Sequence, residues 1–260
     1  MVFRMLDQST PPWFYSGPER RKKPRPLTQK EQERYWDWWQ DNRSLNAWSS
    51  ERAQVILSLL QSLGLARPRI LDSGCGTGWF TELLANHGEV TGIDLSSEHI
   101  RQASERAPHI RFIAGSIFDH PMTAESFDVV VSQQVIAHVD DQPRYVRETA
   151  EALRSGGYLI LTTINKFVLD RLEGHQSHFA CGHIENFLTM KELGRLLSPH
   201  FEVLRRRSIL PMGSKGVLRL VNSQKLNQVL GKVISTPYVE SLKDRAGLGY
   251  INIVLAAKKN

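Results

Sequence analysis

Three glycines at alternate positions, Gly74, Gly76 and Gly78, separate a short apolar run from a stretch with helical spacing. Glycine allows a backbone with positive φ and the close approach of a ligand, and the helix that follows offers N–H groups to that ligand. Trp79 stands where the dinucleotide fingerprint has its third glycine, which argues against a nicotinamide- or flavin-dependent enzyme. The pattern therefore predicts a strand, a ligand-binding turn and a helix.

Apolar runs and helical stretches alternate on both sides of this turn. Helical patterns separate most of the strand patterns, which lie at 69–72, 89–93, 110–114, 127–132, 158–163, 201–206 and 250–256. The helical patterns lie at 78–87, 97–106, 142–154 and 189–198, the last with Thr189 as its cap. Strands separated by helices form parallel sheets, so we expect an α/β, doubly wound, mainly parallel seven-stranded sheet with N-terminal helices and a helical insertion before the last strand.

The ends of the chain differ from its centre. Residues 1–30 are predicted to form a mobile basic arm, and 31–66 an N-terminal helical lid that includes a tryptophan-rich segment. The main domain is predicted to span 67–260. Within it, 207–249 is predicted to be a cap or interface, because an apolar stripe at helical spacing runs through it: Leu218, Val221, Leu226, Val229 and Leu230.

Charge and cysteine content exclude several classes of protein. The net charge is +6, divided as +4 over 1–34, −7 over 35–204 and +9 over 205–260. Such basic ends are typical of nucleic-acid or anionic-membrane contact and also of solvated termini. Cys75 and Cys181 cannot build a disulfide framework or a four-thiolate zinc site, and no apolar run is long enough to span a membrane. We expect a cytoplasmic protein.

The second strand pattern ends in an acid, Asp94. A carboxylate at the carboxyl end of a strand can accept two hydrogen bonds from a ribose diol. Together with the glycine turn, Asp94 indicates a site for a nucleoside-containing ligand.

At these residues the chain resembles the class I S-adenosylmethionine-dependent methyltransferases, over roughly residues 50–205. The resemblance is carried by Ile70–Thr81, by Val90–Ser96, by Phe127–Ser132 followed by His138, and by Leu153–Gly157. The chain is most similar to the ubiquinone-biosynthesis O-methyltransferase type and its natural-product relatives, through Trp36, Trp38, Trp39 and Arg52. The resemblance implies S-adenosyl-L-methionine as cofactor and S-adenosyl-L-homocysteine as product, bound by residues 67–260.

The resemblance also implies a role for each cofactor-binding position. The glycine turn would lie against the methionine part, Asp94 would bind the ribose, Arg52 the carboxylate and the loop after the third strand the adenine. The implied set is Arg52, Asp72, Gly74, Gly76, Gly78, Asp94, Leu95, Ser116, Ile117 and Gln133. Ser116 stands where family members often have aspartate, so its hydroxyl or Asp119 would contact the adenine amino group.

Transfer of a methyl group to a hydroxyl or phenol also requires removal of a proton, for which a histidine with a pKa of about 6–7 is suited. His138, just beyond the fourth strand, is the first candidate, with support of the cofactor loop as the alternative role. His183 is the second, with His175 and His178 near it. No metal is expected, because these histidines lie on a predicted loop without a built-in carboxylate.

The sequence thus predicts a methyltransferase of the EC 2.1.1 type that acts on a small-molecule hydroxyl or phenol, as a monomer or homodimer. N- or C-methylation, an RNA methyltransferase and a non-catalytic cofactor-binding scaffold are the alternatives. The absence of an Asn/Asp-Pro-Pro-Tyr motif after the fourth strand argues against nucleic acid. Peripheral contact with an anionic membrane is the alternative role of the 207–249 stripe.

Overall fold

The computed structural model describes residues 28, 30–34, 47–119, 124–172, 184–213, 215–223 and 246–260. Several predictions fall outside these residues: most of the basic arm, the tryptophan-rich segment, His175, His178, Cys181, His183 and most of the predicted insertion.

One sheet of seven strands organises the described part of the chain, in the order β3-β2-β1-β4-β5-β7-β6. The strands are β1 Arg69–Ser73, β2 Glu89–Asp94, β3 Arg111–Ala114, β4 Phe127–Gln133, β5 Leu153–Ile164, β6 Phe201–Pro211 and β7 Gly249–Lys258. Strands β1 to β5 pair in parallel, and β7 runs antiparallel between β5 and β6. The predicted seven-stranded, mainly parallel sheet is confirmed.

Helices cover both faces of this sheet. They are α1 Ala47–Gln61, α2 Trp79–Leu84, α3 Ser97–Arg106, α4 Gln142–Ala152, α5 Lys166–Leu169, α6 Met190–Leu197 and α7 Val217–Val221, with a 3₁₀ turn at Ile136–His138. One core cluster contains apolar side chains of α1 and α2, and the other contains those of α4 and α6. The apolar residues whose spacing predicted these helices are the ones that the helices bury. The doubly wound arrangement is therefore confirmed. Among the described residues, no helix is long and apolar enough to cross a membrane.

Local sequence signals determine where several helices begin. Thr189 caps α6 as predicted: its hydroxyl accepts from the backbone N–H of Glu192, whose carboxylate accepts from the backbone N–H of Thr189 in return. This capping box satisfies two helix N–H groups at once. Asp141 caps α4 with its side chain, and Pro143 lies in the first turn of that helix.

Two boundaries differ from the sequence prediction. Helix α4 ends at Ala152 and β5 begins at Leu153, because β5 pairs with β4 before a register shift; Gly156 lies in this stretch with a φ of 69°. Strand β6 continues to Pro211, five residues beyond the predicted strand end. The predicted 207–249 insertion therefore begins within a strand, and Leu218 of its apolar stripe is fully buried in α7.

The carboxyl ends of β1, β2, β4 and β5 meet at one edge of the sheet. The strand order reverses between β1 and β4, so the chain leaves these two strands toward opposite faces of the sheet. Ligands of open α/β sheets bind in the crevice outside the carboxyl ends of the strands at such a reversal, and the predicted site residues lie on the turns there.

Candidate active site

The glycine turn follows β1 and adopts a backbone that only glycine accommodates without strain. Gly74, Gly76 and Gly78 have φ values of 77°, 54° and 78°. A Cβ atom at Gly74 would lie 2.1 Å from a methyl group of Val135, so the turn after β1 packs directly on the turn after β4. At Gly78 a Cβ atom would lie 3.0 Å from Ala103 and Phe112, so these glycines let neighbouring side chains pack tightly against the turn.

Asp94 ties this turn to the end of β2. Its Oδ2 accepts from the backbone N–H of Gly76 at 2.8 Å, and its Oδ1 accepts from that of Ser96 at 3.0 Å. Both donors are backbone N–H groups, so the carboxylate is held in a fixed orientation at the carboxyl end of β2. The half-buried Asp94 therefore has the position and the chemistry to bind a diol.

Asp72 lies under the glycine turn and is only 1% exposed. The hydroxyl of Thr81 donates to Oδ2 at 2.7 Å, whereas Oδ1 has no hydrogen-bond partner among the described residues. Burial raises the pKa of Asp72 to about 7; the bond from Thr81 opposes the rise and the charge of Asp94 adds to it. A carboxyl group in this state fits beside a positively charged ligand, which would favour its ionised form.

Arg52 and Gln133 were predicted separately, and the structure brings them together. Nε of Arg52, on α1, donates to Oε1 of Gln133 at the end of β4, at 3.0 Å. A guanidinium fork is suited to a carboxylate, and Gln133 fixes the direction in which this one lies.

The loop after β3 is connected to Asp94 through the backbone, since Gly115 N–H donates to the Asp94 carbonyl at 2.8 Å. Ser116 Oγ accepts from Phe118 N–H at 3.2 Å and retains its own O–H as a donor. Ile117 is buried in the core, so its backbone rather than its side chain would face a ligand. Leu95 is half-buried at the end of β2, and Asp119 is exposed.

His138 ends the 3₁₀ turn after β4 and binds a distant segment. Its Nδ1 lies 2.9 Å from the Ile184 carbonyl, and because a carbonyl only accepts, Nδ1 carries the proton. Burial lowers the pKa of His138 to about 4, and the bond to Ile184 opposes this change. The imidazole is therefore neutral near pH 7, with a pKa below the range of about 6–7 that the sequence analysis assigns to a histidine base.

Further bonds attach the segment 184–188 to the same turn. The backbone N–H of Asn186 donates to the Ala137 carbonyl at 2.7 Å. Nε2 of Gln142 donates to the carbonyls of Ile136 and Asn186, both at 2.8 Å. The turn and the segment therefore form one wall of the crevice, and His138 is part of what holds that wall.

Three residues that contact the candidate site were not identified by the sequence analysis. Thr81 binds Asp72, and the buried ring of His99 has its Nδ1 4.0 Å from Asp94 Oδ1. The buried hydroxyl of Tyr145 lies 2.8 Å from Ser73 Oγ and donates to Ser132 Oγ at 2.9 Å, which joins the ends of β1 and β4. The two serines at the ends of apolar strands were a visible signal, but nothing in the sequence indicates that a tyrosine on α4 is their partner.

A glycine turn after β1, an acid with diol-binding chemistry after β2 and an arginine bonded to the end of β4 are the features by which the chain resembles the class I S-adenosylmethionine-dependent methyltransferases. Residues 71–161 match the family described as "Methyltransferase domain". S-adenosylmethionine is the cofactor of the class. The backbone of the glycine turn, the buried Asp72 oxygen and the Asp94 carboxylate fit its methionine part, its positive charge and its ribose.

Comparisons with known proteins agree with this assignment. A probable S-adenosylmethionine-dependent methyltransferase of Mycobacterium tuberculosis is 34% identical over 116 residues, 44% of this chain and 42% of that protein. The ubiquinone biosynthesis O-methyltransferase of Vibrio vulnificus is 30% identical over 139 residues, 51% of this chain and 58% of that protein. The chain therefore spans about half the length of the curated relatives it matches. The crystal structure of the [4+2]-cyclase SpnF shares the fold, with a TM-score of 0.63 and 16% identity over 91% of this chain and 99% of that one.

Proposed function

We propose that this protein transfers the methyl group of S-adenosylmethionine to a hydroxyl or phenol of a small molecule. The observation that carries the proposal is the bond from the Gly76 N–H to Asp94 Oδ2. It fixes the glycine turn and the carboxylate proposed to bind the ribose next to each other at the carboxyl edge of the sheet. The similarity to a ubiquinone biosynthesis O-methyltransferase supports a hydroxyl acceptor.

Each predicted cofactor residue has a part in this proposal. Asp94 accepts hydrogen bonds from the ribose hydroxyls of the cofactor. Arg52, which Gln133 orients, binds the cofactor's carboxylate, and Asp72 lies near its positive charge. Leu95 after β2 and Ser116 and Ile117 after β3 contact the adenine, and the Ser116 hydroxyl or Asp119 accepts a hydrogen bond from its amino group. The cofactor supplies an electrophilic methyl group when bound, so the chain's own residues need mainly to align the acceptor and exclude water.

Removal of the acceptor proton requires a base, and the two candidate histidines differ in their fitness for that role. A histidine with a pKa of about 4 is a weak base at neutral pH, and the Nδ1 bond gives His138 a structural task. We infer that His138 is a positioning residue that holds the wall of the crevice. His183, which directly precedes Ile184 in the sequence, is then the first candidate for the base.

The proposal is tested by incubating the full chain with S-adenosylmethionine and a panel of phenols, aliphatic alcohols and amines, followed by mass spectrometry. We expect methylated products from the phenols or alcohols and not from the amines. Asp94→Asn should lower turnover by roughly 5- to 150-fold at a subsaturating cofactor concentration, because unpaired ribose hydroxyls cost about 1–3 kcal/mol. The matched control Glu105→Gln makes the same charge change on the exposed face of α3 and should leave turnover unchanged. Methylation of amines alone would contradict the proposed acceptor class.

A further inference from the structure

A groove between α6 and the edge strand β6 contains none of the residues assigned to the cofactor or the acceptor. Its volume is about 480 Å³, and it is lined by Met190, Lys191, Gly194, Arg195, Ser198 and Arg206. Pockets of this size are in the range that holds small organic ligands.

Three positive charges converge on this groove. Lys191 and Arg195 lie four residues apart on α6, a spacing at which like charges repel, and Arg206 faces them from β6. No carboxylate of the described residues forms an ion pair with any of the three. Glu192, the acid on the same helix, has its carboxylate bound in the capping box with Thr189. The groove thus concentrates positive charge that an anionic ligand would balance.

Gly194 allows Arg206 to lie close against α6. A Cβ atom at this position would be 3.2 Å from Nη2 of Arg206, which is tighter than ordinary contact. Glycine inside a helix destabilises it relative to alanine. Here the absence of a side chain at position 194 leaves room for the Arg206 guanidinium against the helix.

Protection of the sheet edge accounts for only part of the arginine run 205–207. Charged side chains on an edge strand discourage pairing with another chain. Arg205 and Arg207 alternate with Arg206 and so lie on the opposite face of β6, where Arg205 Nη1 donates to Ser62 Oγ at 3.3 Å. Edge protection would be served by any of these positions and does not require Lys191 and Arg195 to face Arg206.

We propose that this groove binds a phosphate group carried by a small ester or a lipid headgroup. Guanidinium and ammonium groups are the side chains that bind phosphate oxygens most strongly, and the groove offers two of the first and one of the second. The site lies apart from the methyl-transfer site, and its test does not depend on the proposed function.

The test is a calorimetric titration of the full chain with inorganic phosphate and with glycerol 3-phosphate, at constant ionic strength. We expect saturable binding that Arg206→Gln weakens at least tenfold and Lys191→Gln weakens by a smaller factor. The matched control is Arg111→Gln, which removes the same charge from an exposed arginine on β3, the other edge strand. It should change the affinity less than twofold.

Sedimentation with phosphatidylglycerol or phosphatidylcholine vesicles separates the two sources of phosphate. Binding to the free esters that depends on Arg206, without binding to vesicles, assigns the groove to a small phosphate ester. Binding to phosphatidylglycerol vesicles that depends on Arg206 assigns it to a lipid headgroup. If neither ligand binds, or if Arg206→Gln and Arg111→Gln weaken binding equally, the proposal is wrong.

Discussion

The two sides of the crevice are built in different ways. On the cofactor side, the contacts around the glycine turn join residues close in sequence: Asp72 with Thr81, nine residues apart, and Gly76 with Asp94, 18 apart. The contact of Arg52 with Gln133, 81 positions apart, is the exception on that side. On the acceptor side, His138 contacts Ile184, 46 residues away. A site made of local contacts can be recognised from a motif, whereas a site made of distant contacts depends on how the rest of the chain packs. Cofactor binding and acceptor positioning should therefore respond to separate mutations.

The largest expected effect lies on the cofactor side. Gly76→Val places a β-branched residue at a φ of 54°, where strain lowers the stability of the fold by about 1–3 kcal/mol, and it adds a side chain at the turn proposed to contact the methionine part. We expect cofactor affinity to fall by roughly 5- to 150-fold, because the contacts of that part with the turn, about 1–3 kcal/mol, are lost.

The control for this change is Gly156→Val, since Gly156 has a φ of 69° and lies near the amino end of β5, away from the crevice. It should lower the melting temperature but leave the affinity of the folded protein unchanged. Equal loss of affinity in both variants would show that backbone strain, and not the turn itself, is responsible.

The acceptor side is tested at His138. His138→Leu removes the Nδ1 donor to Ile184, and a displacement of about 1 Å in the crevice wall can lower kcat by roughly 100-fold. In His138→Asn the amide nitrogen replaces Nδ1 as donor but no base remains, so we expect kcat within about fivefold of the parent if positioning is the role. Equally severe loss in both variants would make His138 the base.

The pH profile sharpens the same distinction. With His138 titrating at about 4, kcat/KM would be flat above about pH 5 if His138 were the only group to lose a proton. A rise through about 6–7 that persists in His138→Asn would assign the base to another residue, and loss of that rise in His183→Ala would identify it.

A smaller effect is expected from Asp72, whose pKa of about 7 couples cofactor binding to pH. The positively charged cofactor favours the ionised carboxylate, so affinity should increase as pH rises from 6 to 8, by roughly three- to tenfold. Calorimetry in buffers of different ionisation enthalpy should show proton release on binding. Asp72→Asn should abolish both effects; a pH dependence that survives it would contradict the coupling.

The smallest expected effect concerns Tyr145, which joins the two sides through Ser73 and Ser132. Tyr145→Phe leaves both serine hydroxyls without this partner and should lower the free energy of unfolding by about 1–3 kcal/mol. Chemical denaturation measures the loss. Cofactor affinity should change by less than about twofold if the hydrogen bonds of Tyr145 have only a structural role.

The sequence predicted most of the sheet because apolar periodicity is a local signal, and the glycine turn is local in the same way. Arg52 and Gln133 were both named, but their contact joins residues 81 positions apart and had no local signal. The pKa of His138 could not be predicted, since it depends on burial by a segment far along the chain. The start of β5 at Leu153 was missed because the register shift from β4 has no signature in composition.

The most direct test of the account is calorimetric titration of S-adenosylmethionine into the parent chain, Asp94→Asn and His138→Leu. We predict that Asp94→Asn weakens binding by roughly 5- to 150-fold, the equivalent of about 1–3 kcal/mol for unpaired ribose hydroxyls. His138→Leu should bind the cofactor within about twofold of the parent, because it alters only the acceptor side. An unchanged Kd in a correctly folded Asp94→Asn variant would contradict the assignment of the cofactor site.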